Sequence, residues 1–246
     1  ATYCGVAGLK PTFDRLSRDG VFPVADSLDH VGPMARTASD LALAWEALAG
    51  ERLDAGDVRG RKIGVPDRYF QQRASAEMWD RFTLALETVE KLGMRVRTVR
   101  LPASFEDGAA AGPVVMAVEA AKVHRQAYDT HKDSFLPKIR SLLDDGRSVS
   151  AVAYLQAMEA KRAAAHDMRK LFEEIDYLAT PATPKVAPPA DTTGDPAFNS
   201  PFSTFGLPAI TVNMGLTVAS LPCGLQLVSA PGRELALLEA AAAFER

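Results

Sequence analysis

The chain has 246 residues, 47% hydrophobic and 24% charged, which suits one soluble domain with a substantial core or two small ones. With 28 Lys and Arg against 31 Asp and Glu, its formal net charge of −3 gives no electrostatic case for nucleic acid or an anionic membrane surface. No apolar run is long enough to span a bilayer and no signal peptide is recognisable. Cys4 and Cys223 lie far apart without metal-type spacing, so a reducing, cytoplasmic setting with buried thiols is expected.

In chain order, Gly5 and Gly8 permit close backbone approach, and Lys10-Pro11-Thr12 ends the first apolar run in a fixed-φ turn. Lys10 has no serine or carboxylate at a meaningful spacing and reads as a solvated or backbone-bonded lysine. Gly20, Pro23 and Gly32-Pro33 punctuate short apolar pieces, as in tight loops threading between buried elements. Thr37 or Ser39 is placed to cap a helix to about Leu48, with Leu41, Ala44, Trp45 and Leu48 on one face and Gly50 at its end. Lys62–Pro66 reads as a short buried strand. After Ser75, Met78, Phe82, Leu86, Val89 and Leu92 recur at helical spacing until Gly93 stops them. Met94 to Leu101 alternates apolar and basic residues, the pattern of a half-exposed strand with its arginines outward. This alternation argues for an α/β architecture with a mixed or parallel sheet.

From Pro113 to about Asp176 the composition turns to alanine and charge with helical periodicity, a helical excursion over about 113–176. Val114 to His131 reads as one helix, and Phe135 to Asp144 as a shorter one broken at Gly146. Ser148 is placed to cap a long helix through Glu174, with Val152, Leu155, Met158, Arg162 and His166 marking successive turns. His124, His131 and His166 form no metal-binding spacing, so neither a metal nor an organic cofactor is implied. Tyr177–Pro181 looks like a strand, Pro181 to Pro201 like a loop long enough to be functional, Ala209–Met214 and Leu225–Ser229 like strands, and Glu234–Glu245 like a closing helix. No internal repeat is visible.

Cys4-Gly5-Val6-Ala7-Gly8-Leu9-Lys10-Pro11-Thr12, followed by Ser27-Leu28-Asp29-His30-Val31-Gly32-Pro33-Met34-Ala35-Arg36-Thr37, closely resembles the segment just downstream of the nucleophilic serine in amidase signature family hydrolases. Further stretches are similar to the same family in the same order. They are the helix and strand from Met78 to Leu101, Asp176 to Pro184, Phe198 to Phe202 with Gly206-Leu207-Pro208-Ala209, and Leu221-Pro222 with Gly224 to Val228. The departures are Val212-Asn213-Met214-Gly215, where the family often has a proline and a cysteine before the glycine, and Cys223 in place of a small aliphatic residue. They bear on substrate more than on fold.

The resemblance implies that residues 1–246 are the C-terminal portion of a single amidase-like α/β domain, a mixed or parallel sheet flanked by helices. It implies hydrolysis of a carbon–nitrogen amide bond to acid and ammonia or amine by a Ser–cis-Ser–Lys triad, in which a lysine and a bridging serine relay a proton from the attacking serine and glycine-turn N–H groups stabilise the oxyanion. Those residues are expected upstream of Ala1. The chain on its own is therefore expected to carry no catalytic residue, and its partners to be the N-terminal amidase half, a small-molecule amide, and a second copy in a homodimer. Serines such as Ser17, Ser27, Ser39 and Ser203 lie in no glycine-rich elbow. Asp29 and His30, adjacent on extended chain, point to opposite sides and are poorly placed for an independent Ser-His-Asp triad. The implied contribution of this half is the pocket wall, with Val24, Ser27, Asp29, His30, Asn199 and Phe202 as substrate-side candidates; loop packing is the competing role for each. A triad-less scaffold or binding module, and an amidotransferase subunit releasing ammonia from glutamine, stay open as alternatives. A missing half is also expected to leave Val6, Ile63, Val65 and Ile210 uncovered.

Overall fold

A computed structural model describes residues 1–54 and 56–246. Strands β1 (Ala7–Lys10), β2 (Met34–Ala35), β3 (Lys62–Pro66), β4 (Arg95–Val99), β5 (Tyr177–Pro181), β6 (Ala209–Leu216) and β7 (Pro222–Val228) form a seven-stranded sheet in the order β2-β1-β6-β7-β5-β3-β4. β3 runs parallel to β4 and β5, and the other pairings are antiparallel. The sheet is mixed and flanked by helices, as the α/β alternation implied. β3 and β5 have the expected bounds, whereas β1 and β2 were not anticipated. Gly8 has poor strand propensity, but its pairing with both Met34 and Thr211 fixes it in the sheet.

Side chains of consecutive strand residues point to opposite faces. On β5, Tyr177 and Ala179 therefore enter one core and Leu178 the other. The first core lies under α1 (Ala38–Ala49), α2 (Ala76–Lys91) and α8 (Glu234–Glu245), and is built on Leu41, Trp45, Ile63, Phe82, Ile210 and Leu237. The expected exposure of Ile63 and Ile210 does not occur, because these helices cover them; Val6 and Val65 are partly buried. Thr37 Oγ1 accepts the Asp40 N–H at 3.1 Å and Ser75 Oγ the Met78 N–H at 3.3 Å, satisfying otherwise orphaned donors at the starts of α1 and α2. Leu41 and Trp45 are buried as the α1 periodicity required, whereas Leu48 is exposed.

The second core packs Phe70, Phe105, Phe198, Phe202 and Phe205 with Met168 and Leu178 beneath α3 (Phe105–Val123), α6 (Ala151–Glu174) and α7 (Ser200–Thr204). The helix expected over Val114–His131 is two helices, α3 and α4 (Arg125–His131), which meet at His124. α5 (Pro137–Ser148) runs through Gly146 instead of breaking there. A Cβ at Gly146 would overlap the Ala117 carbonyl oxygen, so this glycine permits close approach to α3. The long-helix cap is accordingly Ser150, whose Oγ accepts from Ala153 at 3.1 Å. Its buried stripe is Ala157, Ala164 and Met168; Val152 and Leu155 are exposed, because small alanines let α6 lie close on α3. No described helix is long and apolar enough to cross a membrane.

Candidate substrate pocket

Thr180, Gln226 and Thr211 stand opposite one another on β5, β7 and β6, and Gly8 of β1 is paired with Thr211. Residues in register share a face, so these four form one row across the sheet. Leu225 and Leu227 belong to the first core, which leaves Gln226 pointing the other way. Gly8, Thr211 and Gln226 line the floor of a cavity of about 400 Å³. Its walls are the N-terminal residues Ala1 to Tyr3, the segment holding His30 and Gly32, and Thr183, Asn199 and Ser203.

The polar side chains here are held by main-chain carbonyls. Gln226 is 3% exposed, and its Nε2 donates to Thr180 Oγ1 at 2.9 Å and to the Phe198 carbonyl at 2.8 Å. Asn199 Nδ2 donates to the Ala182 carbonyl at 2.6 Å, and Thr183 Oγ1 to that of Lys185 at 2.8 Å. Thr211 Oγ1 donates to the Leu225 carbonyl at 3.2 Å, so the 3.0 Å contact with Thr2 Oγ1 is one in which Thr2 donates.

The wall segment is tied down residue by residue. The Asp29 carboxylate accepts the N–H groups of Val24 at 2.7 Å and Ala25 at 3.0 Å, reaching back across the loop to tie its start to its end. Ser27 is gripped from the helical layer: its N–H donates to Glu119 Oε2 at 2.8 Å, while Lys161 Nζ donates to its carbonyl at 2.8 Å and its Oγ at 2.9 Å. Glu119 is 6% exposed, and its second oxygen accepts from Tyr154 OH at 3.1 Å. Burial pushes the Lys161 pKa down, against the pull of Glu119. Beyond this clamp, a Cβ on Gly32 would overlap the Leu9 carbonyl oxygen, and the Pro33 carbonyl accepts the Leu9 N–H at 3.0 Å.

Three titratable side chains line the cavity: Tyr3, whose phenol pKa is pushed up by burial and by the Asp195 charge, His30 and Lys10. His30 Nδ1 donates to the Leu28 carbonyl at 2.6 Å, which leaves Nε2 as the lone-pair nitrogen, buried and without a partner among the described residues. Burial pushes the His30 pKa down to about 4, helped by the charges of Lys10, Arg18 and Lys161 and opposed by its bond to Leu28. Lys10 Nζ donates to the Leu207 carbonyl and weakly to that of Pro11, so the backbone-bonded alternative holds for it. Burial brings its pKa down to about 7 against the opposing Glu234.

Of the six residues singled out in the sequence, His30 and Asn199 line the cavity. Asp29 and Ser27 shape the wall through the hydrogen bonds above, and Val24 lies on the same loop, 40% exposed. Phe202 is fully buried and points into the second core, its ring 6.0 Å from Phe70 and stacked at 8°. Sequence reasoning missed Gln226, Thr211, Thr183, Glu119 and Lys161. Polar residues in apolar strands were the available signal for the first two; nothing local marks the helical pair. Among the described residues no cluster of three His, Cys, Asp or Glu could hold a metal ion.

The chain belongs to the amidase family, whose model matches residues 1–238. It is 32% identical to a glutamyl-tRNA(Gln) amidotransferase subunit of Geotalea daltonii and 31% to its counterpart in Moorella thermoacetica, in each case across 100% of this chain and 60% of the relative. A crystal structure of an amidase superposes with a TM-score of 0.91 at 31% identity, covering 100% of this chain and 59% of that one. The crystal structure of the corresponding glutamyl-tRNA(Gln) amidotransferase subunit from Thermotoga maritima gives 0.80 at 27% identity, covering 99% and 58%. The chain thus spans about 60% of the length of the curated relatives it matches.

Proposed function

We propose that this chain forms the substrate-side portion of an enzyme that hydrolyses a carbon–nitrogen amide bond, and that residues 1–246 are the C-terminal part of one amidase-like domain. Family membership supports the reaction class. The observation that carries the reading to this cavity is that Ala1, Thr2 and Tyr3 line it together with His30, Asn199 and Gln226. Chain entering at Ala1 would bring a preceding nucleophilic serine to the same space. In this reading a Ser–cis-Ser–Lys triad and its glycine-turn oxyanion donors come from the upstream portion. The present residues shape the pocket that presents the amide, with His30 and Asn199 nearest the substrate and Val24, Ser27, Asp29 and Phe202 behind them. Cys223 is buried as expected, whereas Cys4 is exposed, against the expected burial of both; two free thiols are in keeping with a reducing cytoplasmic setting.

The second reading, favoured by the names of the curated relatives, is an amidotransferase subunit that releases ammonia from glutamine for a partner enzyme. The test is ammonia release by the full-length protein. Release from simple amides without any partner supports the hydrolase; release from glutamine only when a partner is added supports the amidotransferase. No ammonia or amine from any amide under either condition contradicts both and leaves the triad-less scaffold.

A further inference from the structure

The segment 184–198 leaves the rim of the cavity at Thr183 and returns to it at Asn199, and both of these residues line the cavity. Asn199 Nδ2 donates to the Ala182 carbonyl at 2.6 Å and ties the two ends together, which makes the segment an Ω-type loop. Pro184, Pro188, Pro189 and Pro196 stiffen it by fixing φ. Its own bonds hold the turn: Thr192 Oγ1 accepts the Gly194 N–H at 3.2 Å, and Asp195 Oδ1 accepts the Ala197 N–H at 2.9 Å. The loop is also fastened to the body on two sides. The Pro184 carbonyl accepts the Ser75 N–H at 2.9 Å, just ahead of α2, and Lys138 Nζ on α5 donates to the Asp191 carbonyl at 3.3 Å.

Where this loop meets the cavity wall it touches Tyr3. Gly194 has φ +84°, and a Cβ built on it would overlap the Tyr3 hydroxyl and stand 3.0 Å from ring atoms Cε2 and Cζ. The phenol ring therefore rests on bare loop backbone, and the same residue lines the cavity. We propose that Tyr3 is a specificity-determining residue: braced from behind by Gly194, its ring is a fixed wall that limits the length of the amide the cavity admits. The proposal rests on the amide-hydrolase reading and adds a size limit to it. At about 400 Å³ the cavity lies toward the small end of ligand pockets, which run from about 300 to 1,000 Å³, so the space taken by one ring matters. A ligand chain that reaches this wall displaces the ring only by shifting a loop held at Ser75, Lys138 and Ala182. Each methylene too many then costs about tenfold or more.

The test measures kcat/KM of the full-length protein that contains this chain for unbranched primary amides from acetamide to octanamide. Tyr3→Ala is expected to raise the octanamide-to-acetamide ratio about tenfold or more, Tyr3→Leu to raise it less, and Tyr3→Phe, which keeps the ring, to leave it unchanged. Gly194→Ala, which crowds the ring from behind, is expected to lower the ratio. An unchanged ratio in Tyr3→Leu overturns the proposal even if Tyr3→Ala does not fold. A ratio in Tyr3→Phe that shifts as far as in Tyr3→Ala also overturns it, because the hydroxyl is then the selecting group. Equal loss of kcat for every amide in Gly194→Ala, with the ratio unchanged, marks a loop that moves during turnover and overturns the fixed wall. Hydrolysis with a ratio indifferent to every Tyr3 substitution supports the function and overturns the wall. If no amide is hydrolysed, the function fails and ligand-observed NMR with the same amides judges the wall. Tighter octanamide binding in Tyr3→Ala or Tyr3→Leu supports it, and unchanged binding overturns it.

Discussion

His30 and Lys10 show how much a single buried side chain can be made to depend on its surroundings. The imidazole is enclosed beside the Phe13 ring, 5.4 Å between centroids, and faces the charges of Lys10, Arg18 and Lys161. Its folded pKa, about 4, lies below the usual 6.5, so between those values the unfolded chain binds the extra proton. Its contribution to stability is therefore complete above about pH 6.5 and lost as pH falls toward 4. Histidine-selective NMR should find one imidazole still neutral at pH 5, in the Nδ1–H tautomer, and His30→Phe should flatten the fall in melting temperature across that window. A His30 titration near 6.5 would contradict the burial described here. Lys10 works in the same direction at higher pH: its pKa falls from 10.5 to about 7, so its contribution is present above about 10.5 and lost as pH drops toward 7. Gly32 makes a steric prediction. Gly32→Ala places a methyl against the Leu9 carbonyl and should destabilise by roughly 1–3 kcal/mol in chemical denaturation; a change within the error of such a melt would refute the close approach.

Among the elements, the helical layer does more than cover the sheet. Glu119 on α3 and Lys161 on α6 hold Ser27, three residues before His30, and so connect the excursion to the cavity wall. Glu119→Ala strips partners from the Ser27 N–H and the Tyr154 hydroxyl. It should cost about 1–3 kcal/mol per buried group left unpaired, and amide exchange should accelerate over residues 24–32 while β5 and β7 stay protected. Unchanged exchange in that segment would show that the clamp does not hold the wall. Elements with strong local codes were legible: the capped amphipathic α2, the β3 strand and α8 fall where periodicity and caps put them. The errors fell where long-range contact overrides local preference. Gly146 resembles a helix breaker, yet its missing side chain lets α5 and α3 touch. β1 carries a glycine and becomes a strand only by pairing with β2 and β6, residues distant in sequence. The site was half legible for the same reason. His30 and Asn199 stood in recognisable loop segments, but the row Thr211–Gln226–Thr180 exists only through sheet register, and the Ser27–Lys161 contact spans a sequence separation of 134 residues.

For the whole molecule, two apolar cores lie on opposite faces of one sheet, and the polar row borders the cavity that Ala1 lines, to which the proposed chemistry is assigned. Trp45 anchors the first core from α1 and is not among the residues lining that cavity. Trp45→Ala should cost about 3–5 kcal/mol in global stability and leave substrate KM unchanged where the protein stays folded; a selective change in KM would mean that the two regions are coupled. The central claim, that this cavity receives the amide attacked by a serine entering at Ala1, is tested most directly by treating the full-length protein with a serine-directed fluorophosphonate and mapping the adduct by mass spectrometry. The account predicts one stoichiometric adduct, on a serine in the segment immediately preceding Ala1, with amide hydrolysis lost in proportion to labelling. Amide hydrolysis that survives full labelling, or an adduct on Ser27, Ser203 or another serine within residues 1–246, would contradict it.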